Sequence, residues 1–318
     1  MQKRMKVYRV FLSLCAAIFL FAGCGKEPQE LVPARGNLLL FVKMKQVIQD
    51  RDLSQAMKID ELKSELDAVD ITPKDISQMM LFMGSAPSSE RMGYLGMILE
   101  GDYDAKQKVK QLAKQGWDKK RHLKDEYYYN PASGECIAYL NGNTMVFGSK
   151  EALCDVLDVR RGKKKSLIKH PTYNKLAKQI GEGSAPITMH IIVPQEVLDI
   201  GQTGLELSKT ILELLNVGAI GVLLGKIGLV QGLGMSINHS GNDFPVEMLC
   251  LMQSEGAASF ISGSLNLLKG ISTMLPKGQM SAQERQNIAA FQNMGISRDG
   301  EMLKINMVIP RREFLGYR

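Results

Sequence analysis

Two pairs of similar segments, at corresponding points of the chain, constrain its fold more than any other feature. An apolar strand that runs into an amphipathic helix occupies residues 37–48, and a similar pattern recurs at residues 187–198. A strand followed by a turn and a helix start occupies residues 145–153 and recurs at residues 307–315. Because these pairs lie at the start and end of two segments of comparable length, we interpret the chain as an internal duplication.

The duplication predicts an α+β fold with two related halves, residues 37–170 and 171–318, each a mostly antiparallel sheet covered by helices. Asn141-Gly142 lies between two apolar runs and predicts a hairpin, because both residues tolerate positive φ. Residues 239–243 predict a second hairpin between two longer runs. Helices are predicted after Asp104 and over residues 257–275, where apolar residues recur at helical spacing.

The first 24 residues have the pattern of a bacterial lipoprotein signal. A basic start precedes the apolar run Val10–Phe21, and Ala22-Gly23 leads into Cys24. This pattern predicts a signal peptide over residues 1–23, a lipidated (palmitate-bearing) Cys24, and a tether over residues 24–36. An uncleaved membrane-spanning helix is the alternative, but the apolar run has about 12 residues where a span needs roughly 20.

The residues after Cys24 bear on location. Gly25 and Lys26 follow it, and the aspartate that retains enterobacterial lipoproteins at the inner membrane is missing. By resemblance to those sorting rules, we expect a cell-envelope protein, with the outer membrane favoured if the cell has two membranes. In a cell with one membrane, the protein would lie outside the plasma membrane.

Three segments carry a resemblance to a protein family. They are Asn37–Val42, Gly93–Gly101 and Leu140–Leu153. The chain resembles uncharacterised bacterial envelope lipoproteins with duplicated α+β halves. This resemblance supports the architecture over most of the chain after the signal, and it implies no active site.

The charge balance excludes a typical nucleic-acid partner. The formal charge of the whole chain is +7, and the four basic residues of the signal leave +3 from Cys24 onward, whereas nucleic-acid binders usually concentrate a stronger basic field. Two basic clusters remain, Lys119–Arg121 and Arg160–Lys165. They are interpreted either as solvated loops or as contacts for anionic lipid headgroups or an acidic envelope polymer.

The chain contains no recognisable catalytic or metal-binding motif. The four histidines are scattered, and none forms the zinc-protease pattern of two histidines four residues apart with a glutamate between. Gly225-Lys226 is followed by Ile227, where a phosphate-binding loop needs serine or threonine. A nucleophile elbow and a Cys-x-x-Cys pair are also missing. We therefore predict no catalytic residue, no metal site, no cofactor and no enzymatic activity.

Three cysteines remain after the signal and the lipidated residue. Cys136 and Cys154 lie close enough in the predicted order of elements for one disulfide in an oxidising envelope. Cys250 would then be unpaired. The other interpretation is three buried free thiols, since all three have apolar neighbours.

Two features are compatible with binding. The stretch Ile211–Gly234 is apolar and rich in glycine, and it fits a buried helix end and strand, the wall of an apolar pocket, or a surface that dips into lipid. Methionines crowd the segment Met79–Met97, where they fill a core or form an adaptable apolar site. We expect a non-catalytic binding or scaffolding protein, held to the membrane through Cys24, whose partner is an envelope protein. The alternative is a carrier of a lipid or another apolar ligand.

Overall fold

The computed structural model describes most of the chain from Glu27 onward. The described residues are 27–66, 70–84, 93–112, 115–181, 184–194, 229–274, 285, 288–289 and 291–315. The expected signal peptide, Cys24 and residues 211–228 of the apolar stretch lie outside the described residues. Among the described helices, none combines the length and the apolar character needed to cross a membrane.

Within these ranges, twelve strands form one antiparallel sheet, whose strand order is β11-β12-β10-β9-β8-β1-β2-β3-β7-β6-β5-β4. The strands are β1 Gly36–Val42, β2 Ile76–Gly84, β3 Tyr94–Gly101, β4 Asp118–His122, β5 Asp125–Tyr129, β6 Cys136–Asn141, β7 Thr144–Gly148, β8 Ile187–Ile192, β9 Val230–Ile237, β10 Asp243–Met252, β11 Gly295–Asp299 and β12 Met302–Pro310.

Helices cover this sheet. They are α1 Met44–Gln49, α2 Arg51–Ala56, α3 Ile59–Leu66, α4 Ala105–Leu112, α5 Lys150–Arg160, α6 Pro171–Ile180, α7 Glu255–Thr273 and α8 Arg311–Phe314. Short 3₁₀ helices occupy Pro28–Leu31, Pro73–Asp75 and Leu167–Lys169. The α+β class and the antiparallel sheet predicted from the sequence are therefore confirmed.

Near the middle of the sheet, β1 pairs with β8, and these are the first strands of the two segments predicted to be related. Residues 38–42 of β1 pair with residues 187–191 of β8. The sequence led us to expect one sheet in each half, whereas the structure has a single continuous sheet. The physical reason is that pairing these two strands satisfies backbone groups that would otherwise lie along two exposed sheet edges.

The two faces of the sheet carry different helices. Met80 belongs to a core cluster with residues of α5 and α6, and its neighbour Met79 belongs to a cluster with residues of α1 to α4. Adjacent residues of a strand point to opposite faces, so these helices lie on opposite sides. Helix α7 packs on β10 and β12 through a third cluster that contains Met248 and Cys250, whereas Leu249 between them belongs to the first.

Local predictions are confirmed with some differences. The Asn141 hairpin forms, but neither Asn141 nor Gly142 has positive φ; instead the Asn141 side chain accepts a hydrogen bond of 3.0 Å from the backbone N–H of Asn143. Ser149 caps α5, and its side chain accepts a hydrogen bond from the backbone N–H of Ala152. Lys119–Arg121, one of the two candidate loops, lies instead in strand β4, which has no apolar alternation because it is an exposed edge strand.

The described part of the predicted tether is packed against the body. Leu31 and Val32 are buried in the first core cluster. The backbone N–H of Leu167 donates to the Val32 carbonyl at 2.8 Å, and that of Ala34 donates to the Lys165 carbonyl at 2.9 Å. The folded body thus begins within a few residues of Cys24.

Candidate functional site

Helix α7 presents the most extended exposed apolar surface among the described helices. Its start is fixed by Ser254, whose hydroxyl accepts a hydrogen bond of 3.1 Å from the backbone N–H of Ala257. Ala258, Ile261 and Leu265 are buried against the sheet. One face of the helix is therefore an ordinary core face.

The opposite face of α7 is also apolar. Phe260 is 55% exposed, Leu267 65% and Met274, which follows the helix, 83%. With Ile271 they recur at spacings of seven, four and three, which places them within an arc of about 60° on one side of the helix. We call these four residues the apolar stripe. Gly263 and Gly270 lie beside it, and, apart from adjacent residues and the backbone of α7 itself, a Cβ at either would meet no atom of the described residues within 4 Å.

The charges of α7 are held away from the apolar stripe. Glu255 forms an ion pair with Arg298 at 3.0 Å. Lys269 donates a hydrogen bond of 2.6 Å to the carbonyl of Met294. No other residue of the helix is charged, so the stripe is an apolar surface without a charged rim. Such patches on monomeric proteins are commonly interaction sites.

A cluster of ionisable groups joins distant parts of the chain. His239 Nδ1 is hydrogen-bonded to the Asp50 carboxylate, and Arg311 donates to Asp52 at 2.7 Å. Burial would raise the pKa of Asp50, but hydrogen bonds from the Leu53 backbone N–H and from His239 hold it below its usual value.

The imidazole of this cluster is part of a stack of rings. The ring of Phe244 lies between those of His239 and Phe314, at centroid distances of 4.6 and 3.8 Å. The cluster fastens α2 to the β9–β10 hairpin and to α8. We therefore interpret it as a structural junction.

The remaining histidines occupy separate environments. His122 is 2.9 Å from an Asp158 oxygen, and His170 is the N-cap residue of α6. His190 is completely buried in β8, where neither ring nitrogen has a hydrogen-bond partner among the residues that the structure describes. Among the residues that the structure describes, no three or more His, Cys, Asp or Glu side chains are grouped to hold a metal ion.

In the part of the chain that the structure describes, Cys136, Cys154 and Cys250 form no disulfide bond. Cys136 and Cys250 are buried, and Cys154 is partly exposed. Burial raises the pKa of Cys154 to about 11 and that of Cys250 to about 12. Because the thiolate is the reactive form, both are weak nucleophiles at neutral pH.

The structure brings the two basic clusters of the sequence together. Arg161 forms two hydrogen bonds with Asp125, at 2.7 and 2.8 Å. Asp125 begins β5, the strand that follows the cluster Lys119–Arg121 of β4. The hydrogen bond from Arg161, opposed by burial, lowers the pKa of Asp125. Residues separated by about forty positions thus form one surface at the β4 edge of the sheet.

Comparison with solved structures finds a similar fold in TP0453. Crystal form I matches with a TM-score of 0.51 and 11% sequence identity, over 92% of this chain and 96% of that chain. Forms III and IV, both 12% identical, match with TM-scores of 0.51 and 0.50. They cover 92% and 91% of this chain, and 97% and 95% of their own. At this identity the likeness shows the fold alone.

No family model matches the sequence, and a search of curated proteins finds no match. Sequence reasoning missed the apolar stripe and the Asp50–His239 cluster for different reasons. The spacing of Phe260, Leu267 and Met274 is visible as a seven-residue period, but only the structure shows that this face is the exposed one. The pairing of Asp50 with His239, 189 positions away, leaves no local signal.

Proposed function

We propose that this is a lipid-anchored cell-envelope protein that acts by binding another protein through the apolar stripe of α7, without catalysing a reaction. The anchor is the lipidated Cys24, and the body faces the periplasm or the cell surface. In a cell with two membranes, the outer membrane is the proposed location. The proposal also includes an internal duplication, in which residues 37–170 and 171–318 are related halves.

The apolar stripe is the observation that carries the proposed binding role. Its partner would be an apolar or amphipathic helix, because Gly263 and Gly270 leave open space beside the stripe. Small residues of this kind let a second helix backbone approach closely. The exposed side chains of Leu267 and Met274 would then be buried against apolar side chains of the partner, which removes their apolar surface from water and favours binding.

The chemistry of the other candidate groups is compatible with a binding protein. The Asp50 and Asp52 carboxylates pair with His239 and Arg311 across a junction of elements, as expected of groups that hold a fold together. Burial keeps Cys154 and Cys250 protonated at neutral pH. These environments supply no activated nucleophile.

The strand order supports the proposal of two related halves. Outward from the β1–β8 pair, one side reads β1-β2-β3-β7-β6 and the other β8-β9-β10-β12-β11. In each series the third and fourth strands are separated in the chain by a helix, α4 or α7. The first series continues into the additional hairpin β4–β5. The two series thus follow the same path, apart from that hairpin.

The carrier alternative needs a cavity between the sheet and the helices. At the described end of the apolar stretch, a Cβ on Gly232 would lie 2.6 Å from Thr172, and one on Gly234 would lie 2.5 Å from Ile180. Met79 and Met80 are buried in packed clusters. Because these positions are filled, we rank protein binding above carriage of an apolar ligand.

Site-specific photocrosslinking in intact host cells tests the proposal. A photoreactive amino acid at Leu267 or Met274 of the full lipidated chain should give one discrete protein adduct. Ile271→Asp in the same chain should abolish that adduct, since it places a charge within the stripe. A photoreactive residue at Lys178, exposed on α6, is the matched control and should give none.

Each other outcome contradicts the proposed partner. Lipid adducts from Leu267 would favour the carrier or a lipid-facing stripe, and adducts of two copies of this chain would indicate self-association. Equal adducts from Leu267 and Lys178 would show that the stripe has no special role.

A further inference from the structure

The tip of the β4–β5 hairpin holds a leucine in an unusual conformation. His122 and Asp125 form the last pair of the ladder, so Leu123 and Lys124 are the two turn residues. Leu123 has φ of 55° and is 43% exposed. Glycine or asparagine is the usual residue in this left-handed region, where a Cβ is strained. The turn conformation alone does not account for a leucine here.

This tip is fixed beside the basic loop that follows α5. Asp125 accepts two hydrogen bonds from Arg161 and lies 3.3 Å from Arg160, and His122 lies 2.9 Å from Asp158. The tip and residues 161–165 are therefore neighbours in a defined arrangement. We call residues 118–126 together with residues 155–165 the basic corner.

The basic corner concentrates positive charge. It contains nine Lys and Arg residues against five Asp and Glu residues, a formal charge of +4. The chain from Cys24 onward has +3 in total, so the rest of it sums to −1. Lys124, Lys163 and Lys165 are exposed, and among the described residues none of them has an acidic partner within 4 Å. Their ammonium groups are available to an anionic surface.

The basic corner is also tied to the segment that follows Cys24. Ala34 donates its backbone N–H to the Lys165 carbonyl at 2.9 Å, and Ser166 Oγ donates to the Val32 carbonyl at 3.1 Å. Val32 and Ala34 lie eight and ten positions after Cys24. Ten residues span at most about 35 Å when fully extended, and part of this segment is the more compact 3₁₀ helix Pro28–Leu31. A lipid on Cys24 would thus hold the corner near the bilayer.

We propose that the basic corner docks on the anionic surface of a lipid bilayer, with Leu123 entering the interface and Lys124, Lys163 and Lys165 contacting lipid phosphates. The choice of a bilayer as the occupant rests on two things, the lipid anchor at Cys24 proposed above and the exposed Leu123. The corner would set the orientation of the anchored protein, because an anchor attached at one residue does not by itself fix which face of the body lies against the bilayer.

Leu123 decides between a bilayer and an acidic polymer. A soluble polyanion pairs with cations but gains nothing from an exposed leucine. A bilayer interface offers phosphates and, just below them, an apolar layer that buries such a side chain. An exposed leucine among lysines therefore complements a bilayer interface, whose phosphates bind the lysines and whose apolar layer buries the leucine.

Binding to vesicles by the unlipidated chain tests the inference separately from the lipid anchor. Residues 26–318 retain every described contact. We expect them to bind vesicles that are about one-third phosphatidylglycerol in phosphatidylcholine more strongly than pure phosphatidylcholine vesicles, and binding should weaken with added salt. Lys163→Ala with Lys165→Ala should weaken this binding about thirtyfold, because each lysine at an anionic surface contributes a factor of about five.

A matched control separates the basic corner from the net charge. Lys74→Ala with Lys178→Ala removes the same charge from exposed positions on other elements and should leave binding within about twofold. Leu123→Asn should weaken binding about fivefold. Its thermal stability should stay the same or rise, because asparagine tolerates the left-handed conformation better than leucine. A stable variant that binds poorly would separate the role of Leu123 from folding.

Three outcomes would overturn the inference. One is equal binding to neutral and anionic vesicles, and another is an equal loss in the corner and control variants. The third combines two results: the chain binds polygalacturonate in a way that depends on the lysines, and Leu123→Asn leaves vesicle binding unchanged. Together these results would assign the corner to an acidic polymer. Incorporation of palmitate into the full chain, lost in Cys24→Ser, tests the anchor independently.

Discussion

The centre of the sheet and its two ends differ in how completely their apolar groups are covered. At the centre, β8 and β9 lie under α6, and the glycines of β9 are in contact with that helix. At one end, α7 leaves Leu267 and Met274 exposed, and at the other the basic corner leaves Leu123 exposed. The centre thus acts as a structural core, and the ends are where we place interactions.

The largest expected effect on stability comes from His190, which lies in β8 near the centre of the sheet. Burial lowers its pKa to about 4 from 6.5, so between these pH values the unfolded chain binds a proton that the folded chain does not. Its contribution to stability is therefore complete above pH 6.5 and decreases as the pH falls to about 4, by about 3 kcal/mol. His190→Leu should remove this dependence.

Chemical denaturation of both chains at pH 7 and pH 5 measures this effect. Other groups titrate in both chains, so the informative quantity is the difference in unfolding free energy between wild type and His190→Leu. A difference that is the same at both pH values would contradict the buried, unpartnered imidazole.

Gly232→Ala should be the next largest effect. The new methyl group would lie 2.6 Å from Thr172 and 3.0 Å from both the Ile191 carbonyl oxygen and Leu176. Overpacking of this kind should destabilise the fold by about 2 kcal/mol. Urea denaturation checks the value, and an unchanged midpoint would mean that α6 does not press on the sheet.

Gly263→Ala is the same substitution in α7, at one end of the sheet, and it should stabilise the fold where Gly232→Ala destabilises it. Outside α7 itself, no atom of the described residues lies within 4 Å of the added methyl group. Alanine also favours a helix interior over glycine by about 1 kcal/mol. The unfolding free energy should therefore rise by up to that amount. A loss of stability would indicate that this face of α7 is covered.

Leu267→Asn should have the smallest effect on stability, within about 0.5 kcal/mol, because the side chain is exposed. The same variant should lose the protein adduct formed from a photoreactive Met274. A large loss of stability would show that Leu267 belongs to the core, which would remove the basis for the proposed docking surface.

The sequence predicted those elements whose signals are local. The turns at 239–243 and Asn141 and the helix that became α7 all depend on neighbouring residues. Strands β4 and β11 were missed because they are edge strands with largely exposed residues, so they need no apolar alternation. The single sheet was missed because the β1–β8 pairing joins residues about 150 positions apart.

The two surfaces illustrate the same limit. The sequence identified both basic clusters, but their convergence depends on Arg161 meeting Asp125 across the fold. Residues 257–275 were predicted as a helix, yet both its faces are apolar, and only packing decides which one is buried. The features that form these surfaces are visible in the sequence, but contacts between residues far apart in the chain determine which of them are exposed and which lie together.

Native mass spectrometry with organic extraction, on residues 26–318 purified under mild conditions from the host, tests the contrast between centre and ends most directly. The filled centre predicts the mass of the chain alone and no lipid recovered in stoichiometric amount. One lipid bound per chain would contradict this account, because it would place an occupied cavity inside the molecule and make carriage of an apolar ligand the primary function.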